Sequence, residues 1–252
     1  MVEWRLIIDG EHDPYWNMAF DETLLYLREQ SYIPNTLRLY VFKPGSVTIG
    51  YFQRISEAVD LDYANRNGIL YTRRITGGGA VYHDPNGELT YSVVASLSDF
   101  PSDVIERYRA ICYGLIYALE YFGLKSEFKP VNDIVVNNKK ISGSAQTWRK
   151  YAFLQHGTFM YNTDVNTLAN VLKPLREKLI SHGIDSIKER VTTLSMILKK
   201  SIDRKEVLET LIRGFEKAFK TSFTITQPSS FEIELARKLV DKYRSREWIF
   251  KK

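Results

Sequence analysis

Apolar residues recur at two different spacings along this chain, and the switches between them mark out strands and helices. Trp4 to Ile8 is an apolar-rich opening strand, with Asp9-Gly10 as the turn that closes it. Asp13-Pro14 then reads as a helix N-cap followed by proline at the first helical position. The helix it starts runs through Gln30, with Phe20, Leu24 and Leu27 on one face. From Leu37 the period becomes two, as Leu37, Leu39 and Val41 alternate with Arg38, Tyr40 and Phe42. Lys43-Pro44-Gly45 turns the chain into Val47-Thr48-Ile49-Gly50-Tyr51, which predicts a hairpin of adjacent strands. A short helix is expected over Asp60 to Asn67, stopped by Gly68, with strands over Ile69 to Tyr71 and Leu89 to Ala95.

The clearest helix is Ser102 to Phe122, where Ile105, Tyr108, Cys112, Leu115, Leu119 and Phe122 recur at steps of three and four and form one apolar stripe. Three strands follow, Asp133 to Val136, Lys140 to Trp148 and Phe153 to Tyr161, with turn chemistry at Asn137-Asn138-Lys139 and Arg149-Lys150. Asp164 caps a short helix to Leu172, and Pro174 to Ser201 reads as loops and short helices. Asp203 with Glu206, and Ser229 with Glu232, have capping-box spacing ahead of two amphipathic helices. Strands and helices are mixed without regular alternation, so the expected class is α+β, with mostly antiparallel mixed sheets flanked by helices.

At 252 residues the chain has ample length for a core, and no low-complexity linker or internal repeat divides it, so a single domain over 1–252 is expected. A balance of 35 basic against 30 acidic residues, spread along the chain, gives no reason to expect a nucleic-acid partner. One cysteine excludes an internal disulfide and any multi-cysteine metal site, and four scattered histidines lack zinc spacing. Cys112 lies on the apolar stripe, where a small buried hydrophobe fits better than a nucleophile. With no signal-type start and no apolar run long enough for a bilayer, a cytoplasmic setting without a membrane partner is expected.

One stretch stands apart: Arg73-Arg74-Ile75-Thr76-Gly77-Gly78-Gly79-Ala80-Val81-Tyr82-His83-Asp84. Three successive glycines supply no side chain to pack, so such a run suits a sharp bend or a close approach to another group. Placed between strands and flanked by arginines and a histidine, its amides can face an anion or a flat ligand. No Gly-Lys-Ser/Thr follows and no helix opens after it, which excludes a Walker loop and a dinucleotide fingerprint. A β-bulge or wide hairpin with surface arginines would use the same residues. Asn132-Asp133, Lys140 to Gln146 and Gln155 to Thr158 carry polar residues that a plain strand does not need. Ser142, Ser144 and Gln146 share one parity and suit either a polar ligand floor or a solvent-facing sheet.

Taken in order, Asn17-Met18-Ala19 with Asp21-Glu22, the Arg73 to Asp84 motif, Asn132-Asp133, Lys140 to Gln146 and Gln155 to Thr158 resemble the catalytic domain of the lipoate-protein ligase A family. Arg190 to Leu194, and Tyr243 with Glu247-Trp248, continue a likeness that covers nearly the whole chain and extends to octanoyltransferases and, remotely, biotin protein ligases. The resemblance implies that ATP and Mg²⁺ activate lipoate as lipoyl-AMP. The acyl group then passes to a lysine of an acceptor, a lipoyl domain of a 2-oxoacid dehydrogenase complex or the glycine-cleavage H protein.

On this sequence it implies Lys140 as the catalytic residue, contacting acyl carbonyl and phosphate. Arg74, Thr76, Gly77, Gly78, Gly79 and His83 would line the lipoyl arm and phosphate. Asn132, Asp133, Ser142 and Ala145 would stand on the nucleotide side, with Asp133 at the Mg²⁺. Ile75 occupies a position where relatives commonly have a small hydroxyl residue. Longer relatives continue into an accessory domain, whereas four residues follow Trp248 here, so a separate small accessory subunit is expected. Two alternatives remain. An octanoyl transferase of the same fold would work without ATP; the kin most like this chain carry a nucleophilic cysteine just ahead of the lysine motif, where Pro130 to Asp133 stand, and another branch relies on lysine alone. A lipoate- or adenylate-binding protein would lack catalysis.

Overall fold

A computed structural model describes residues 3–173 and 187–251. In order, the chain forms β1 (Trp4–His12), α1 (Pro14–Glu29), β2 (Asn35–Phe42), β3 (Ser46–Ile49), α2 (Ile55–Ala58), α3 (Leu61–Arg66), β4 (Leu70–Arg73), β5 (Val81–His83) and β6 (Glu88–Ser96). It continues through α4 (Val104–Tyr121), β7 (Glu127–Lys129), β8 (Asp133–Val136), β9 (Lys139–Trp148), β10 (Ala152–Met160) and α5 (Val165–Val171). After the undescribed stretch come α6 (Ile187–Arg190), α7 (Leu194–Leu198), α8 (Arg204–Phe219), β11 (Thr224–Ile225), α9 (Ser230–Arg244) and α10 (Arg246–Ile249). The expected loops and short helices of Pro174 to Ser201 lie partly outside the described residues; α6 and α7 account for the rest.

The strands form an eight-stranded sheet, ordered β11-β1-β2-β6-β10-β9-β8-β7, and a three-stranded sheet, ordered β4-β3-β5. Only the pairs around β1 are parallel in the large sheet, so the mixed, mostly antiparallel α+β class is as expected. β2 and β10 are buried along their whole length, because helices cover both faces of the sheet. On one face, α4 and α8 bury Ile111, Leu115, Leu211 and Phe215 against Tyr91, Val93 and Phe153. On the other, α1 contributes Phe20, Leu24 and Leu25, and α9 adds Ala236.

Local signals held well. Asp13 accepts a hydrogen bond from Trp16 N ahead of Pro14, and Ser229 and Glu232 form a reciprocal capping box at α9. Asp203 caps α8 through Lys205 N alone, without the return bond from Glu206. Ile105 lies at the exposed start of α4, off the buried stripe, while Cys112 is fully buried on it.

Two expectations fail where pairing is non-local. Asp9-Gly10 is not a turn: β1 keeps pairing with β2 as far as His12, and Gly10 (φ +70°) takes up a bulge between Ile8 and Gly10. The Lys43 to Gly45 turn does not join paired strands. It carries the chain out of the large sheet, and β3 pairs instead with β4 and β5.

Candidate active site

Both β4 and β5 flank β3, so the glycine segment between them crosses the end of β3 and is not a hairpin loop. Gly50, directly after β3, is its seat: a Cβ there would stand 2.0 Å from Gly78 O. Gly78 takes φ +90°, a conformation that side chains disfavour. Gly78 and Gly79 are exposed, and among the described residues no internal acceptor takes the amide protons of Gly77, Gly78 or Gly79. Of the two readings of the glycine run, amides facing a ligand or a bulge with surface arginines, this geometry fits the first.

Arg74 lies under the segment, not on it. Its guanidinium is buried and donates to Thr76 Oγ1 (2.9 Å), Thr48 O (3.0 Å), Gly77 O (2.6 Å) and Gly79 O (2.8 Å). No carboxylate forms an ion pair with it among the described residues, and burial pulls its pKa down to about 10. Arg73 turns the other way. It donates to Gly50 O, Tyr51 O and Gln53 O and to Trp248 O, Ile249 O and Lys251 O, tying the C-terminal segment to the end of β3. Thus neither arginine of the motif is a surface cation.

Thr76 is fully buried, with its hydroxyl 2.8 Å from His156 Nε2. His156 Nδ1 lies 2.9 Å from Asp21 Oδ2. Asp21 also receives Arg38 (2.8 Å), Tyr40 OH (2.9 Å) and Ser92 Oγ (2.9 Å). Burial pushes the Asp21 carboxyl up, but the hydrogen bond from His156 and the Arg38 guanidinium hold it below its ordinary value. Burial also lowers His156, against the pull of Asp21. Arg38, wholly buried, is further held by Asp9 and by Asn17 Oδ1 (2.7 Å), which explains why α1 carries Asn17 and Asp21 on an otherwise apolar face.

The lysine motif comes to the same place along β9. Lys140 Nζ lies 2.7 Å from Asp133 Oδ1, both about a third exposed. Its amine crosses Gly143, where a Cβ would come within 2.5 Å of Nζ. Two residues on, Ala145 pairs with His156 and its Cβ lies 4.0 Å from the Cβ position of Gly78, so both motifs share one face. Thr192 N donates to Lys140 O (2.8 Å), which pins the lysine backbone against the Arg190 to Leu194 segment. Asn132 holds β9 through a side-chain bond to Ser144 O and a backbone bond from Ser144 N.

Several expected positions move. Ser144 and Gln146 do share a face, but it is the α4 side: Ser144 Oγ bonds Tyr91 OH (2.8 Å) and Gln146 receives Arg107 (2.7 Å). They are therefore no ligand floor. Ser142 is fully buried, and among the described residues its hydroxyl has no hydrogen-bond partner, so it does not present an open nucleotide surface. His83 stacks on Phe42 (3.8 Å) and commits its nitrogens to Glu88 (2.7 Å) and Thr48 (2.9 Å); it supports β3 beneath the site without lining it. Arg74 and Thr76 likewise support the segment from below. Lys140, Asp133, Gly77 to Gly79 and Ala145 are brought together.

Arg38, Tyr40, Ser92 and the seat Gly50 were missed, and Asp21 and His156, although inside stretches that the sequence singled out, were given no role there. Their available signals were polar residues at helix and strand positions that otherwise face a core. Cavities of about 270 Å³ beside Arg109, Tyr113 and Ala218, and about 220 Å³ beside Tyr26, Leu235 and Leu239, open elsewhere on the surface.

Residues 13–216 match the family described as the lipoyl protein ligase A/B catalytic domain. A protein named octanoyltransferase LipM from Brevibacillus brevis is 32% identical over 274 residues, covering 98% of this chain and 99% of that protein. Among solved structures, a bi-partite lipoate protein ligase studied with its E2 lipoyl domain, from Thermoplasma acidophilum, is 35% identical with a TM-score of 0.86, covering 99% and 97% of the two chains. A lipoate-protein ligase A bound with ATP is 34% identical with a TM-score of 0.84, covering 98% of each. The names of the sequence relatives favour the transferase alternative over ATP-dependent ligation, while the structural neighbours include ligases.

Proposed function

We propose that this chain, which belongs to the lipoyl protein ligase A/B catalytic domain family, activates a lipoyl-type carboxylate as its adenylate and passes the acyl group to an acceptor lysine. A carboxylate oxygen of lipoate bonds to the α-phosphorus of ATP as the bond to pyrophosphate breaks. The acceptor ε-amine then attacks the acyl carbon, AMP leaves with the bonding pair, and the amine gives up a proton. Lys140 is the cation for the phosphate and the developing charge on the acyl oxygen. The amides of Gly77 to Gly79 are neutral donors on the same face.

Asp133 is the carboxylate that would hold Mg²⁺, with Asn132 beside it. Among the described residues no group of three ligating side chains forms a metal cage, and a hard dication that keeps waters and phosphate oxygens does not need one. When bound, it supplies charge neutralisation to the phosphates.

The observation that supports this reading over a cysteine transferase is the place of the only thiol. Cys112 is fully buried on α4, its sulfur 3.7 Å from Ser144 Oγ, and burial pushes its pKa up to about 12. A thiol there is neither ionised nor reachable, so this chain has no cysteine with which to form an acyl-enzyme. A second reading is octanoyl transfer, which the names of the sequence relatives favour; with no reachable thiol it would run without ATP from a carrier protein through lysine alone.

Presenting lipoate with Mg-ATP, or octanoyl-carrier protein without ATP, and following pyrophosphate and acceptor mass separates the two. A lipoyl domain as acceptor and a separate accessory subunit belong to the same reading, supported by the bi-partite relative studied with its E2 lipoyl domain. A cytoplasmic setting belongs to it as well.

A further inference from the structure

The Thr76 hydroxyl sits between two fixed partners. Its oxygen lies between Arg74 Nε (2.9 Å), which can only donate, and His156 Nε2 (2.8 Å), which either donates or accepts. The hydroxyl oxygen can accept twice, but its single proton also needs an acceptor, and with Arg74 donating, the acceptor it meets among the described residues is His156 Nε2. The imidazole must then be neutral, with its proton on Nδ1, facing the Asp21 carboxylate 2.9 Å away. All these groups are buried, so no solvent repairs a wrong proton arrangement. The far end of the chain is the ligand-facing segment, because Arg74 also holds Gly77 O and Gly79 O.

We propose that this one-way chain, Arg74 to Thr76 to His156 to Asp21, sets the arrangement of the glycine segment, with His156 as the positioning residue and its neutral form as the working one. The inference rests on the acyl-adenylate reading and adds a control to it. A second proton on His156 leaves the Thr76 hydroxyl without an acceptor and sets two cations, His156 and Arg74, on one oxygen. Arg74 then moves, and the amides of Gly77 to Gly79 lose their common aim. The charged or titratable groups around His156 are Asp21 from α1, Arg38 and Tyr40 from β2 acting through Asp21, Arg74 from the glycine segment and His83 from β5. Its partners across the sheet, Ala145 and Ser92, carry no charge.

The test measures binding of a phosphodiester analogue of lipoyl adenylate, whose single negative charge does not titrate, by calorimetry from about pH 7.5 down to about pH 5. The unaltered chain and Thr76→Ser should bind alike at neutral pH and weaken together on acidification. Thr76→Val, which keeps shape but not the hydroxyl, should bind roughly tenfold more weakly at neutral pH. His156→Gln should give a flat profile. An acid limb that persists in His156→Gln, or neutral-pH binding by Thr76→Val equal to the unaltered chain, overturns the proposal and leaves the functional reading standing. Should Thr76→Val fail to fold, the His156→Gln profile decides alone. Failure of the unaltered chain to bind at any pH overturns the functional reading, and the inference with it.

Discussion

Lys140 lies across a residue without a side chain: a Cβ on Gly143 would stand 2.5 Å from Nζ, so the flexible amine would have to shift from its present place. Among the described residues the amine's ion-pair partner is Asp133, and both side chains are about a third exposed, so solvent can take over much of the pairing when the amine is removed, although Asp133 Oδ1 itself is covered. Lys140→Ala should fold normally and lose adenylate formation, by on the order of 2.7–4 kcal/mol of transition-state stabilisation. Pyrophosphate release by the purified variant at the unaltered rate would contradict the assignment. Cys112→Ser makes the opposite case, since a hydroxyl in the α4 core should lower the melting temperature and leave adenylate formation intact. A folded but inactive variant would restore a thiol mechanism.

Asp21 links chemistry to stability. Its folded pKa lies below its unfolded one, so the ionised carboxylate stabilises the fold above the unfolded value of about 3.9, and that contribution fades as pH falls through the folded value. Asp21→Asn should cost about 3–5 kcal/mol at neutral pH by leaving Arg38 short of a partner, and the gap to the unaltered protein should narrow towards acid. Parallel denaturation curves at all pH values would show that the carboxylate charge contributes nothing.

Among the elements, two glycines separate site geometry from fold stability. Gly50 lets the glycine segment cross β3, and Gly214 lets α8 cross α4, where a Cβ would stand 2.2 Å from Gly114 O. Gly50→Ala should displace Gly78 and abolish adenylate binding while the melting temperature changes little. Gly214→Ala should lower stability by about 1–3 kcal/mol and leave activity per folded molecule unchanged. Calorimetry and melting curves on the pair check both; a reversed pattern would mean that the segment is not seated on Gly50.

These elements also mark what was legible in the sequence. Caps such as Asp13 and Ser229 involve residues a few positions apart, so their side chains announce them. The partner of β3 is chosen across the fold, and Lys43-Pro44-Gly45 could not reveal that it leaves one sheet for another. Period-two spacing put Ser144 and Gln146 on a common face but could not say which face meets α4 and which the glycine segment. The glycine run was visible because it supplies nothing to pack, whereas Lys140 took its role from the family resemblance. Arg38 was harder to see because it sits in a strand pattern and its carboxylate partners, Asp9 on β1 and Asp21 on α1, are brought to it by the fold; His156 stood in a polar stretch, but its partners Asp21 and Thr76 are likewise set across the fold.

For the whole molecule, the sheet is a frame that brings three distant stretches onto one face: α1 with Asp21, the glycine segment on the small sheet, and β9 with Lys140. The C-terminal segment is joined to that frame through Arg73, and Glu22 binds Lys242 (2.6 Å) and Tyr243 (2.6 Å). The central claim is that activation runs through an adenylate and needs no thiol. Its most direct test is mass spectrometry of the purified chain at single-turnover concentrations, in one vessel with lipoate and Mg-ATP and in another with octanoyl-carrier protein and an acceptor domain. The account predicts bound lipoyl-AMP with equimolar pyrophosphate in the first and no acylated acceptor in the second. Octanoylated acceptor lysine formed without ATP, with no pyrophosphate in the first vessel, would contradict it.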